Sequence, residues 1–150
     1  MKNRNASNRK TKKNTPKKPH NGLSNQVKSH VVNVFLGMLN TVKIYHWKTC
    51  SYSQHKATDD LYSNLNGHID TFIEILLGKD ESRIHLLDKK IELLEAYSKA
   101  DFKERVYQYR EFLIDMNKTL DSERDTDLLN VRDEILGDIN QFLYLLTFNK

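Results

Sequence analysis

The sequence predicts an all-α fold, because it contains few residues that break helices and many that favour them. Only 5 of the 150 residues are glycine and 2 are proline, whereas 29% are charged. Apolar side chains recur at intervals of three or four positions along four separate stretches, which is the spacing of one buried helical face. A chain of this length can form a single domain around its own core.

The four stretches define four predicted helices. The first spans about residues 24–48 and starts at a serine, which is a suitable N-cap. The second spans about 54–77, and Gly78 is expected to end it. The third and fourth span about 101–120 and 126–148, and a polar turn separates them.

Residues 79–100 are predicted to form a long connection between the second and third helices, with room for a short helix. A connection of this length can run along a whole bundle, which makes the helices on either side of it parallel neighbours. The predicted fold is therefore the four-helix bundle with one long crossover that ferritin-like proteins have. It is expected to occupy residues 23–150 as one domain.

The first 22 residues differ from the rest of the chain in charge. They hold eight of the 24 Lys and Arg residues and none of the 20 Asp and Glu residues, so the remainder carries 16 bases and 20 acids, a net charge of −4. A segment this basic and polar cannot bury enough apolar surface to fold alone, so 1–22 is predicted to be a disordered tail. The eight basic residues are Lys2, Arg4, Arg9, Lys10, Lys12, Lys13, Lys17 and Lys18.

The partner expected for this tail is DNA. Lys and Arg side chains neutralise phosphates and release counterions, and this attraction does not depend on the base sequence. The tail contains no Phe, Trp or Tyr to stack on bases, so its binding is expected to be non-specific. Two other interpretations stay open, a solubilising tail and a nuclear-import signal, because both have the same composition.

No stretch of the sequence indicates a membrane partner. The apolar runs are all shorter than the roughly 18–20 residues that span a bilayer. The basic N-terminus lacks the apolar segment of a signal peptide, and the single cysteine, Cys50, excludes an internal disulfide. These features predict a cytoplasmic location, or a virion if the protein is viral.

The second predicted helix carries an unusually polar flank, which we interpret as part of a metal site. On a helical wheel of about 100° per residue, Asp59, Asp70 and Glu74 lie about 40°, 60° and 100° from His55. His55 and Asp59 are one turn apart, as are Asp70 and Glu74, so each pair can chelate one cation. Imidazole and carboxylate ligands together suit Fe(II), Zn or Mn.

Distance prevents one chain from gathering all four side chains around one ion. His55 and Asp70 are separated by about 22 Å along a helix axis. Two antiparallel copies of the helix that cross near its middle would place the first pair of one chain opposite the second pair of the other. His46, at the end of the first helix, can complete each site. The chain is therefore predicted to be a homo-oligomer, at least a dimer through this helix.

An ordinary solvent-exposed helix flank is the alternative interpretation, because Asp and Glu are common on such flanks. A di-iron centre inside one bundle is not expected, since the sequence has no Glu-x-x-His pair. Four further histidines show no ligand spacing and are expected at the surface. They are His20, His30, His68 and His85.

Three short motifs of this region resemble a known family. They are "HW" at 46–47, "H-x-x-x-D" at 55–59 and "D-x-x-x-E" at 70–74, the last followed by "LLG". In this order they are similar to the Dps mini-ferritins, the DNA-binding proteins from starved cells. The pattern "YHWKT-x-S-Y-x-x-H" is also similar to ferritin-like proteins of tailed phages and large DNA viruses. The stretch between the two histidines is shorter than is usual in Dps and lacks the family's glycine.

The resemblance implies an iron site shared between subunits. His46, His55 and Asp59 match the ligands from one subunit. Asp70 and Glu74 match those that a neighbour supplies across a two-fold axis. The implied activity is that of a ferroxidase, which oxidises Fe(II) with peroxide or oxygen. The competing interpretation is a non-enzymatic ferritin-like bundle that packages DNA, for example in a virion, and whose helix residues make polar contacts between subunits.

Overall fold

The computed structural model describes residues 22–148 except 92, 94, 96 and 97. These residues form four α-helices and no strand: α1 (Asn25–Lys48), α2 (Tyr52–Gly78), α3 (Lys99–Asp115) and α4 (Thr126–Leu145). The prediction of an all-α fold with four helices is confirmed. The predicted tail lies outside the described residues, apart from Gly22. No helix in the described part is long and apolar enough to cross a membrane.

Serine side chains fix where three of the helices begin. Ser24 accepts a hydrogen bond from the Val27 N–H and caps α1 at the predicted position. Ser51 and Ser98 cap α2 and α3 in the same way, so each of these helices starts two residues before its predicted first residue. Because a capping serine satisfies a backbone donor that would otherwise lack a partner, it outweighs the apolar spacing in setting the boundary.

The predicted helix ends are less accurate than the starts. Gly78 was expected to follow α2 but is its last residue, and the left-handed backbone conformation falls instead on Glu81, with a φ of 54°. The third helix ends at Asp115, before the predicted 120, because the chain tightens into a 3-10 turn at Met116–Lys118. A second 3-10 turn, Leu146–Phe148, extends α4.

The long connection runs beside α1. Polar side chains four residues apart on α1 bind its backbone: Asn25 donates to the His85 carbonyl (2.9 Å), Ser29 accepts from the Leu87 N–H (2.9 Å), and Asn33 donates to the Asp88 carbonyl (3.4 Å). Lys48, the last residue of α1, pairs with Glu95 (2.7 Å). The connection therefore follows α1 from its first turn to its last.

This path makes α2 and α3 run in the same direction, as predicted from the length of the connection. The start of α3 lies beside the end of α4, where Lys99 donates to the Leu146 carbonyl (2.8 Å). The short helix for which the connection had room is not present among its described residues.

The four helices enclose one apolar core. Each contributes a stripe at the predicted spacing, and α2 packs against both α1 and α4. Aromatic rings join the helices: Phe35 meets Phe72 edge to face at 5.2 Å, and Tyr45 stacks on Phe102 at 3.9 Å between ring centres. Burying one such ring contributes about 1.5–3 kcal/mol. The largest fully buried side chains are Phe35, Phe72, Phe102, Phe142, Met38, Leu65, Leu76, Leu113, Leu128, Ile135, Ile139 and Val42.

Candidate metal site

Two of the predicted ligands meet where α1 turns into α2. His46 lies in the last turn of α1 and His55 in the first turn of α2, and only residues 49–51 separate the two helices. The imidazole rings stack at 3.8 Å between centres, with 24° between their planes. His46 is buried, with 7% of its surface exposed, whereas His55 is exposed. The short connection leaves His46 facing His55.

Reciprocal hydrogen bonds fix both rings. Nδ1 of His46 lies 3.0 Å from the carbonyl oxygen of His55, and Nδ1 of His55 lies 3.0 Å from the carbonyl oxygen of His46. A carbonyl can only accept, so each Nδ1 carries the hydrogen and each neutral ring keeps a lone pair on Nε2. Histidines that bind metal in proteins have this arrangement, with one nitrogen donating to the protein and the other facing the ion.

Buried polar side chains hold the turn beneath the rings. Thr58, which is fully buried, donates to the Gln54 carbonyl (2.7 Å) and lies 3.3 Å from Nδ1 of His46. Tyr45 donates to the Gln54 side chain (2.6 Å), as does Thr49 (3.0 Å). Burial raises the pKa of Tyr45, so its phenol stays protonated and keeps donating. The two histidines are therefore positioned by the core.

Asp59 follows His55 by one helical turn and faces the same cluster. Its Oδ1 atom lies 4.0 Å from Nε2 of His46 and 3.9 Å from Nζ of Lys43. Two ligands of a tetrahedral ion, each about 2.05 Å from it, lie about 3.3 Å apart. Asp59, at 4.0 Å, would thus have to move by about 0.7 Å to share such an ion with His46. Its side chain is half exposed and has room to do so.

Lys43 is a positive charge that the sequence analysis did not connect with this site. Its ammonium lies 4.7 Å from the ring centre of Tyr62 and 5.9 Å from that of Trp47. These contacts hold it next to Asp59. A cation that binds Asp59 must therefore compete with Lys43 for the carboxylate.

The other two predicted ligands lie elsewhere in the chain. Asp70 and Glu74 are exposed on α2, and Asp70 is about 16 Å along the helix axis from Asp59. The structure thus places three of the five predicted residues at the turn between α1 and α2 and leaves the other two apart. Within the described residues of one chain, no three His, Cys, Asp or Glu side chains are grouped closely enough to hold a metal ion as they stand.

One polar cluster was missed by the sequence analysis. His68, expected at the surface, is partly buried between α2 and α4 and pairs with Asp138 (2.7 Å). The two residues are 70 positions apart, so no local spacing in the sequence could have revealed the contact. The other expected surface histidines that lie in the described part, His30 and His85, are exposed.

No curated protein matches this chain, and no solved structure matches it either. One family profile does match, over residues 46–146, which is more than half of the chain. The matched region begins at His46 and includes all five predicted ligands, whereas the basic tail lies outside it. The chain therefore belongs to this family, which is described as a family of unknown function (DUF5856).

Proposed function

We propose that this protein is a ferritin-like, Dps-like ferroxidase that binds and oxidises Fe(II) between two subunits. The observation that carries the proposal is the paired histidines, whose Nδ1 atoms both donate to backbone carbonyls and whose Nε2 lone pairs remain available. An imidazole oriented in this way is a good ligand for Fe(II), especially with a carboxylate such as Asp59 beside it.

The exposed face of α2 supports the shared site. His55 and Glu74 are equally far in sequence from a midpoint between residues 64 and 65, and so are Asp59 and Asp70. If two antiparallel copies of α2 crossed at this midpoint, the first pair of one copy would lie opposite the second pair of the other. Leu65 points into the core. The contact would therefore fall on the small or polar exposed residues around it, including Ser63, Asn66 and Gly67. A Cβ built on Gly67 would meet nothing within 4 Å, so a second helix has room to approach there.

In the proposed reaction, Fe(II) is the substrate. His46, His55 and Asp59 hold one ion, while Asp70 and Glu74 of the neighbouring subunit bridge to it or hold a second. Each Fe(II) gives up one electron, and one hydrogen peroxide takes up two electrons and two protons to form two waters. The carboxylates bind the resulting Fe(III) more tightly than imidazole does, because they are hard, anionic ligands.

The test is Fe(II) oxidation, followed optically in the full chain and in a His55→Ala, Asp59→Ala double variant. We expect the double variant to lose the fast phase, because it lacks two ligands of the first ion. His85→Ala is the matched control, since His85 is exposed and far from the site along the chain. Equal rates in the wild type and the double variant would refute the ferroxidase proposal, and a monomer in sedimentation would refute the shared site.

We also propose that the basic tail, residues 1–22, binds DNA without sequence preference. Eight positive charges attached to a body of net charge −4 would carry all of the attraction. Each phosphate neutralised contributes about −0.9 to the slope of log affinity against log salt, so engaging most of the tail predicts a slope of roughly −4 to −7. Gel shifts at several salt concentrations with the full chain and with a chain lacking residues 1–22 test this. If the shortened chain keeps the slope, the tail is not the binding element.

A second candidate function is non-enzymatic DNA packaging, in a cell or a virion. The observation that favours it is Lys43, which already neutralises Asp59 within the chain. With Lys43 as the partner of Asp59, the five predicted ligands need no metal. They would then serve only to join α1 to α2 and one subunit to the next. Metal analysis of the purified protein separates the two candidates, because stoichiometric iron favours the ferroxidase and metal-free protein with tight DNA binding favours packaging.

A further inference from the structure

A second histidine cluster lies between α2 and α4, away from the paired histidines. His68 Nδ1 lies 2.7 Å from Oδ2 of Asp138, and His68 Nε2 lies 3.6 Å from Oε2 of Glu134. Asp138 is largely buried, with 11% of its side chain exposed, and its other oxygen accepts from the Asn64 amide (3.3 Å). No Lys or Arg of the described residues forms an ion pair with either carboxylate.

The hydrogen bond to Asp138 decides which ring nitrogen carries a hydrogen. A carboxylate can only accept, so Nδ1 of His68 is the donor, and the neutral ring has its lone pair on Nε2. That lone pair faces the Glu134 carboxylate, which is also an acceptor. Two acceptors facing each other repel unless a donor or a cation lies between them. A proton on Nε2, a bridging water or a metal ion can fill that place.

The geometry points to a metal ion. Two ligands about 2.05 Å from a tetrahedral ion lie about 3.3 Å apart, and the observed 3.6 Å requires only a small adjustment. In metal sites a carboxylate often accepts a hydrogen bond from the ring nitrogen that does not bind the metal, and so orients the imidazole. Asp138 occupies this position next to Nδ1 of His68. Two carboxylates and a neutral imidazole also balance one divalent cation in charge, whereas an imidazolium leaves one negative charge uncompensated.

We propose that His68 and Glu134 form a divalent transition-metal site that ties α2 to α4, with Asp138 as a positioning residue. Nitrogen and carboxylate ligands select Zn²⁺, Fe(II) or Mn²⁺ over Ca²⁺. Water completes the coordination, because both ligands lie at the rim of the bundle, where His68 keeps 34% of its side chain exposed. The site does not depend on the proposed ferroxidase, since the two share no residue.

The test is a calorimetric titration of the full chain with Zn²⁺, in a Cys50→Ser, His55→Ala, Asp59→Ala background that removes competing ligands. We expect one Zn²⁺ site per chain in this background. His68→Gln and Glu134→Gln should each abolish it, and Asp138→Asn should weaken it about 10–100-fold because the imidazole loses its orienting carboxylate.

His85→Gln is the matched control, because His85 is an exposed histidine outside the cluster, and it should leave the titration unchanged. Glu134 is 60% exposed, so Glu134→Gln should leave the fold intact and still test the site even if His68→Gln disturbs folding. If His68→Gln or Glu134→Gln folds and binds Zn²⁺ with unchanged stoichiometry and affinity, the proposal is overturned. The same holds if the parent background binds no Zn²⁺.

Discussion

At the end of the bundle where α1 begins and α2 ends, buried charges meet opposite charges from the same chain. Lys28 is almost fully buried and pairs with Asp80 and Ser82, and Lys79 pairs with Asp125 and Asp127. At the other end, the polar groups include the imidazoles of His46 and His55, whose Nε2 atoms have no hydrogen-bond partner among the described residues. At the first end the ammonium groups are paired within the chain, whereas at the second end these two ring nitrogens are not.

The pKa values of the charged groups at the first end reflect this pairing. Hydrogen bonds from Lys28 and then Ser82 lower the pKa of Asp80, and a hydrogen bond from Lys79 lowers the pKa of Asp127. Burial alone lowers the pKa of Lys79, but hydrogen bonds to Asp127 and Asp125 outweigh it and leave the pKa raised. Ion pairs of this kind stabilise the fold, whereas the lone pairs on Nε2 of His46 and His55 remain available to bind a ligand.

The largest expected effect is on stability, from removing a charge at the first end. Asp80→Asn leaves the buried Lys28 ammonium without its counter-charge and should cost about 3 kcal/mol in the free energy of unfolding. His55→Ala, at the other end, removes one hydrogen bond from an exposed ring and should cost about 1 kcal/mol or less. Urea unfolding followed by circular dichroism measures both. Equal losses would show that the two ends do not differ in the way described.

A smaller effect is expected in the pH dependence of stability. A carboxylate whose pKa is lowered by folding contributes stability above its unfolded pKa, about 3.9, and that contribution is lost as pH falls through the lower folded value. The wild type should therefore lose stability steadily below about pH 4. Asp80→Asn should flatten this part of the curve, and Asp60→Asn, at an exposed position of α2 outside the proposed site, is the matched control. Identical slopes for wild type and Asp80→Asn would contradict the prediction.

The smallest expected effect concerns Lys43 and depends on the proposed metal site. Lys43→Met removes the cation that competes for Asp59. Because a partly exposed ion pair contributes no more than about 1 kcal/mol, metal binding should tighten by about three- to fivefold. Zn²⁺ titration of the dimer, with Zn²⁺ as a redox-inert probe, measures the change. Lys56→Met, an exposed lysine on α2, is the control and should have no effect, and weaker binding in Lys43→Met would contradict the competition.

Much of the fold could be predicted because it depends on local spacing. The N-cap serine before α1 and the polar turn before α4 indicated where these two helices start, and the neighbouring positions of His46 and His55 follow from a turn too short to separate them. Contacts between distant segments could not be predicted. Lys28 has the charge of a surface residue, yet it is buried because Asp80 and Ser82 of the long connection lie over it.

The same limit applies to the polar clusters. Lys43 and Asp59 belong to different helices, as do His68 and Asp138, so their contacts depend on how the helices pack. Helix ends were also hard to predict. The chain leaves α3 through a 3-10 turn, and no residue type marks that change in the way that serine marks a helix start.

The path of the long connection has a consequence for how the chain would respond to cleavage. None of its described residues is buried, and its backbone is bound by the side chains of Asn25, Ser29 and Asn33 rather than by the core. The helices on either side of it pack across the break, α2 against α4 and α1 against α3. A protease that cut the connection would thus leave two helical hairpins joined by the whole apolar interior. Expressed as separate polypeptides, the two halves are suited to reassemble by fragment complementation.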